Sequence, residues 1–311
     1  MCCLFGLLDH RNTLTGPEKS KILSVLAKEC EARGTDATGI AYNSKGKLCI
    51  YKRLLPAHKL DLRIPADARA VMGHTRLTTQ GNEKFNWNNH PFPGRAGGTR
   101  FALAHNGVLY NDVSLRKRLK LPRTKIQTDS YIAVQLIERQ KTLRLDSLKT
   151  MAEQVEGSFS FTVLDEQDNL YFVKGDNPLC VYRYPKTGLM LYASTEEILK
   201  RALYQLRPPL EQPEKLELSC GDIARVDRSG EIARAAFDTG NLLRMWYLTN
   251  YQPCKLAGIG PPPRRYHEGQ YIKNLKSLAG YFGYSPEDVD NLLDEGFSPE
   301  ELEEYFYCGE L

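Results

Sequence analysis

Several things are scarce in this chain of 311 residues. None of its eight cysteines (positions 2, 3, 30, 49, 180, 220, 254 and 308) pairs with another as CxxC, which removes the common zinc and dithiol-redox motifs. No apolar run is long enough to span a bilayer. The opening Cys2-Cys3-Leu4-Phe5-Gly6-Leu7-Leu8 is too short for a signal-peptide core and has no basic segment before it. The net charge of +4 is too small to indicate a nucleic-acid partner. No nucleotide-binding loop or metal-ligand spacing is present, so neither a metal nor a cofactor is expected. Together these absences predict a cytoplasmic protein with reduced, mostly buried thiols and no membrane partner. A composition of 41% hydrophobic and 26% charged residues is that of an ordinary folded domain.

What is present begins at the N-terminus. If Met1 is removed, Cys2 carries a thiol and a free α-amine on one residue. A thiol needs a base to become a thiolate at neutral pH. An α-amine titrates near ~7.7–8.0 and is a usable base there. Cys2 can therefore be nucleophile and base together, with no separate histidine. Alone, an early cysteine is more often a small buried apolar residue, so the rest of the chain has to supply the other parts.

Taken in order, the chain mixes strands with a few helices. Pro17 opens a helix through Ile22, Val25, Leu26 and Cys30. Ile40-Ala41-Tyr42 and Leu48 to Tyr51 flank Ser44-Lys45-Gly46 as a hairpin. Ala70 to Gly73 reads as a strand running into His74-Thr75-Arg76. A polar, loop-like stretch follows from Leu77 to Gly98, of a length that usually serves function. Phe101 to Ala104 reads as a short strand ending at His105-Asn106-Gly107. Thr128-Asp129-Ser130 leads into a helix, and Leu145 to Val155 forms another. Strand-like runs recur from Gly157 to Ala193. Ser194 with Glu197 spells a capping box for a helix through Leu206. Asp222 to Val226 and Glu231 to Phe237 close as a hairpin. Strands and helices in this irregular order predict an α+β fold.

Three devices would complete the chemistry of Cys2. Amide hydrolysis develops an oxyanion that needs preorganised donors. Asn106 offers a side-chain N–H, and Gly107 offers a backbone N–H. A free amino acid carries a carboxylate, which suits the bidentate fork of Arg76, and an ammonium, which suits Asp129. Each residue also has a structural alternative. Arg76 can be a salt bridge, Asn106-Gly107 a hairpin turn, and Asp129 an acid at a helix N-terminus.

The ordered segments Cys2 to Gly6, Arg33-Gly34 through Ala41, Gly73 to Arg76, His105-Asn106-Gly107, Thr128-Asp129-Ser130 and Gly157 to Leu164 resemble the class II (N-terminal nucleophile) glutamine amidotransferase domain. The resemblance covers roughly residues 2–240. It implies the four-layer αββα sandwich of the N-terminal nucleophile (Ntn) hydrolases. It also implies that Cys2 attacks the glutamine side-chain amide to give a thioester and ammonia, and that Asn106 and Gly107 form the oxyanion hole. Arg76, Asp129 and Thr79 would hold glutamine, and Arg33 would position the N-terminal residue. Leu77 to Gly98 would be the loop that closes over substrate, with His90-Pro91 structural within it. Two positions depart from the pattern. Cys3 stands where the family commonly has Gly and would expose a vicinal thiol pair to oxidation. Leu77 stands where one subgroup commonly carries Trp. Two other readings stay open: an Ntn amidohydrolase of another γ-glutamyl compound, and a non-catalytic regulatory or scaffold subunit.

The resemblance leaves residues 241–265, with Pro261-Pro262-Pro263, as a stiff linker, and 266–311 as an acidic helical module. Residues 281–311 hold ten acids and no Lys or Arg. Gly283-Tyr284-Ser285-Pro286-Glu287 recurs as Gly296-Phe297-Ser298-Pro299-Glu300, and each copy has the cap, proline and acids of a helix start. The module reads either as a solvated acidic face or as a docking element for a separate acceptor polypeptide. On this reading the enzyme stands alone, without a fused synthase domain. The oligomeric state is not written in the sequence.

Overall fold

The structure is a computed structural model. It describes residues 2–206, 212–242, 272, 275–276, 279, 284–295, 297 and 302. The chain divides into two units, Met1–Asn250 and Tyr251–Leu311.

The first unit begins with β1 (Cys3–Asp9), α1 (Gly16–Glu29), β2 (Ala37–Ser44), β3 (Lys47–Arg53), β4 (Ala70–Arg76), β5 (Phe92–Ala96) and β6 (Thr99–Leu109). Three helices follow: α2 (Asp112–Arg118), α3 (Tyr131–Arg139) and α4 (Leu145–Gln154). Then come β7 (Gly157–Asp165), β8 (Leu170–Lys174), β9 (Cys180–Tyr184), β10 (Leu189–Ala193), α5 (Glu196–Leu206), β11 (Glu214–Lys215), β12 (Asp222–Val226) and β13 (Ile232–Ala236). The strands form two sheets, ordered β11-β9-β10-β1-β4-β2-β3 and β13-β12-β8-β7-β6-β5.

Side-chain alternation along the central strands sorts the core into layers. In β1, Cys3, Phe5 and Leu7 join Leu23, Leu26 and Ala27 of α1 and Leu199 of α5. The alternate residues Leu4 and Leu8 meet Ala102, Ala104, Leu164 and Phe172 of the other sheet. That sheet turns Phe101, Leu103, Phe159 and Phe161 toward Ile132, Leu136 and Leu148 of α3 and α4. The result is helices, sheet, sheet, helices: the αββα sandwich. β1 is buried along its whole length because it is covered on both faces.

Local signals explain most helix starts. Thr15 and Glu18 form a reciprocal capping box on α1, with Pro17 in the first turn. α5 differs from expectation. Thr195 Oγ1, not Ser194, accepts the Ile198 N–H at 3.3 Å. Ser194 Oγ instead accepts the Leu4 N–H at 2.8 Å, joining the helix start to β1.

Two further expectations are corrected. The stretch from Leu77 to Gly98 is not all loop, because Phe92–Ala96 is an edge strand, β5, paired to β6. Pro93 and Gly94 hide it from propensity. An edge tolerates the missing N–H, and Gly94 leaves room for the Phe101 ring, which a Cβ there would approach to 2.3 Å. β6 is also no short strand ending at Asn106. It runs eleven residues through Gly107, whose φ of +139° carries the backbone past Ser158 O. A Cβ there would lie 1.9 Å from that oxygen, so only glycine continues the strand.

In the second unit, α6 (Pro286–Asp294) starts as its sequence predicts, with Ser285 and Asp288 capping each other. Leu275, Ala279, Val289 and Leu302 form a small core. The repeated start at 298–300, most of the expected helix over 271–279, and residues 243–265 of the expected linker lie outside the described residues.

Candidate active site

Three strand ends and one helix start converge. Cys2 precedes β1, and Arg76 ends the adjacent β4, where Cys3 pairs with Thr75. Asn106 and Gly107 lie in β6 of the facing sheet, and Asp129 stands two residues before α3. Cys2, Arg76, Thr79, Gly107 and Asp129 line one cleft, together with His90 and His105. Asn106 is fully buried beside Gly107, and Arg33 lies behind Cys2. The fold therefore gathers five of the seven residues singled out in the sequence on one surface. The other two lie immediately behind it.

Each side chain has a distinct setting. The Cys2 thiol donates to the Leu77 carbonyl at 3.4 Å. Burial pushes its pKa up, while Arg76 and the Leu77 bond pull it down. The resting sulfur is thus a thiol, and forming a thiolate there needs a base. Arg33 Nε donates to the Cys2 carbonyl at 3.0 Å and so fixes the backbone of that residue. Asp129 Oδ2 accepts the Leu109 N–H at 2.7 Å. Arg76 donates to Asn89 Oδ1 and to the carbonyls of Gln80 and Gly81. Thr79 is exposed at the rim. Both ends of the Asn106 side-chain amide lack a partner among the described residues. Buried amides are ordinarily paired, so this open one, immediately behind the cleft surface, is an exception.

Histidines surround this floor. His105 Nδ1 lies 2.8 Å from Ser130 Oγ, and its ring stacks on Phe161 at 4.6 Å. His74 Nε2 donates to the His105 carbonyl at 3.0 Å, and its ring is 4.1 Å from that of His90. Burial pushes His74 down to about 3 and His90 well below its ordinary value. Burial also lowers His105. All three are neutral near pH 7. His90, read from sequence as structural, lines the cleft with both ring nitrogens open.

Sequence reasoning gave no role to Ser130, Asn89 or Lys52. Ser130 could have been found, since it follows Asp129 directly. Lys52 could not, because only the β2–β3 hairpin brings it to Asn89. Cys3 does not form a thiol pair with Cys2. It points to the helix side, where its sulfur is 2.9 Å from Cys30 Sγ. Among the described residues no cluster of His, Cys, Asp or Glu is arranged to hold a metal. Among them, too, no helix is long and apolar enough to cross a membrane.

The family model for a glutamine amidotransferase domain matches residues 74–201. Over those residues the chain is similar to a glutamine amidotransferase domain. The chain is 31% identical over 190 residues to the glutamine–fructose-6-phosphate aminotransferase (isomerizing) of Streptococcus pyogenes, covering 58% of this chain and 30% of that protein. It is 32% identical over 191 residues to the same-named protein of Bacillus licheniformis, with the same coverage. The chain thus spans under a third of the length of these relatives. The chain also shares its fold with glutamine phosphoribosylpyrophosphate amidotransferase from B. subtilis. That match has a TM-score of 0.60 at 18% identity and covers 77% of this chain and 50% of the other.

Proposed function

We propose that the amidotransferase domain hydrolyses the side-chain amide of glutamine to glutamate and ammonia through Cys2. The observation that carries this reading is the shared cleft of Cys2, Arg76, Thr79, Gly107 and Asp129. Arg76 takes the substrate α-carboxylate and Asp129 its α-ammonium. These two contacts select a free α-amino acid head and aim its side chain at Cys2. Removal of Met1 frees the α-amine, which accepts the thiol proton as sulfur attacks the amide carbon. The carbonyl oxygen becomes an oxyanion, held by Asn106 Nδ2–H and Gly107 N–H. The C–N bond breaks, and the proton returns with the leaving ammonia. Water then attacks the thioester, releasing glutamate and the thiol. Arg33 holds the Cys2 carbonyl throughout.

An acceptor for the ammonia on a further domain or a separate polypeptide is supported by relatives whose names describe amino transfer and which are longer than this chain. Thiolate chemistry of this kind suits a reducing, cytoplasmic setting. The test is the intact mass of wild type and Cys2→Ala after treatment with 6-diazo-5-oxonorleucine, a glutamine-shaped electrophile. Loss of Met1 and one adduct at Cys2, absent from the variant, is expected. A retained Met1 or an unlabelled protein overturns the reading in favour of a scaffold.

A further inference from the structure

The guanidinium assigned above to the substrate carboxylate is 2% exposed and already engaged by the protein. Arg76 Nη1 donates to Asn89 Oδ1 at 2.5 Å, and Nη2 to the carbonyls of Gln80 at 2.7 Å and Gly81 at 3.3 Å. Asn89 is itself held on two sides. Its Nδ2 donates to the Glu83 carbonyl at 3.0 Å, and its own carbonyl accepts Lys52 Nζ at 2.7 Å. Asn86 Nδ2 closes the arrangement on the Lys52 carbonyl at 3.1 Å. Lys52 comes from β3, the edge of the seven-stranded sheet, and its ammonium lies 5.4 Å from the Phe92 ring centroid.

This arrangement is unusual in charge. Two largely buried cations share one asparagine, and among the described residues neither forms an ion pair with a carboxylate. Burial, and then the charge of Arg76, push Lys52 down to about 8, so it is still mainly protonated at pH 7. Asp36, Glu83 and Asp129 act on Arg76 only from beyond ion-pair distance, and a buried positive pair with no carboxylate in contact among the described residues favours an anion brought in from outside. Bidentate recognition of a carboxylate also requires the guanidinium plane to be fixed. The Asn89 amide fixes it.

We propose that Asn89 and Lys52 are positioning residues for substrate-carboxylate recognition: Asn89 sets the Arg76 fork, and Lys52 ties Asn89 to the sheet while adding a second positive charge. The proposal rests on the glutamine reading above. It assigns selectivity for an α-carboxylate to three side chains rather than one.

The test compares two reagents that alkylate Cys2 in the full chain. 6-Diazo-5-oxonorleucine carries the α-carboxylate, and iodoacetamide does not. Asn89→Ala and Lys52→Met should each slow labelling by subsaturating 6-diazo-5-oxonorleucine about tenfold, the worth of one hydrogen bond to a charged group. Their iodoacetamide rates at Cys2 should stay within about twofold of wild type, and Lys52→Arg should recover most of the loss. Equal slowing of both reagents would reduce the pair to loop architecture and overturn the proposal. So would variants that label like wild type. Wild type alkylated by iodoacetamide yet inert to 6-diazo-5-oxonorleucine is a different failure, which removes the glutamine reading itself.

Discussion

Strand β1 runs between two buried polar clusters that are treated in opposite ways. At its far end, Asp9 and Lys19 are fully buried 3.4 Å apart. Asp9 accepts the backbone N–H groups of Thr13 and Leu14. Lys19 Nζ donates to Asn12 Oδ1 and to the carbonyls of Ala66 and Ala68. At the Cys2 end, both ends of the Asn106 amide, both ring nitrogens of His90, Nε2 of His105 and Oγ1 of Thr128 have no partner among the described residues. Burial is the same at the two ends, but satisfaction is not. An unpaired buried polar group costs about 1–3 kcal/mol. A cluster of them beside a thiol is therefore a standing expense that a ligand can relieve. The comparison separates polar burial satisfied within the fold from polar burial left open beside Cys2.

The largest test is at the satisfied end. Lys19→Met leaves Asp9 buried without its cation and should lower unfolding free energy by about 3–5 kcal/mol. Folded molecules should still label at Cys2, so urea unfolding and labelling of the same sample check both halves. Undiminished stability would break the comparison.

Asn106→Ala should do the reverse. Loss of one oxyanion donor lowers kcat by about 10²–10³. Removal of an unpaired amide should leave the melting temperature level or higher. A fall of several degrees with unchanged glutaminase kinetics would make Asn106 a structural residue and erase the distinction.

Acid sharpens the comparison further. His74 and His90 are held neutral when folded but take protons below pH ~6.5 when unfolded. The unfolded state then binds more protons, so stability falls as pH drops from about 6.5 toward 3. Each histidine should contribute a slope of about 1.4 kcal/mol per pH unit within that window. Urea titrations from pH 7 to pH 4 should show His90→Leu flattening the slope by that amount. An unchanged slope would show that His90 gains no proton on unfolding.

The smallest effect belongs to Cys3. Its sulfur faces Cys30 and the helix layer, away from the cleft. Cys3→Ala should change glutamine hydrolysis by no more than about threefold, under 1 kcal/mol of barrier. A hundredfold loss would mean that the helix-side sulfur pair acts on the nucleophile.

Particular residues show how far the sequence could be read. The Thr15–Glu18 and Ser285–Asp288 caps, the β2–β3 hairpin and α3 rest on residues close in sequence, and such patterns are legible. β5 was hidden because Pro93 and Gly94 are poor strand formers, and only the edge position and the Phe101 ring make them acceptable. The continuation of β6 was hidden because Asn106-Gly107 is written like a turn. At Ser194 the cap was misplaced by one residue, because the backbone of Leu4, far away in sequence, competes for its hydroxyl.

By itself, the sequence determined which chemical groups this protein has and the order in which it carries them: the Cys2 thiol, an arginine fork, an Asn-Gly donor pair and a carboxylate. Local pattern was enough to place the arginine at a strand end and the carboxylate at a helix start, but not the Asn-Gly pair, which lies within β6. Tertiary structure alone decided which of these groups are satisfied and which are left open. It gave Lys52 to Asn89, Asn89 to Arg76, Ser130 to His105 and Cys3 to Cys30, and it left the Asn106 side-chain amide without a partner among the described residues. Most of those pairings join residues on different elements, brought together by sheet register and layer packing. Hydrogen bonds act only at contact distance, and contact between separate elements is not encoded in any short stretch of chain.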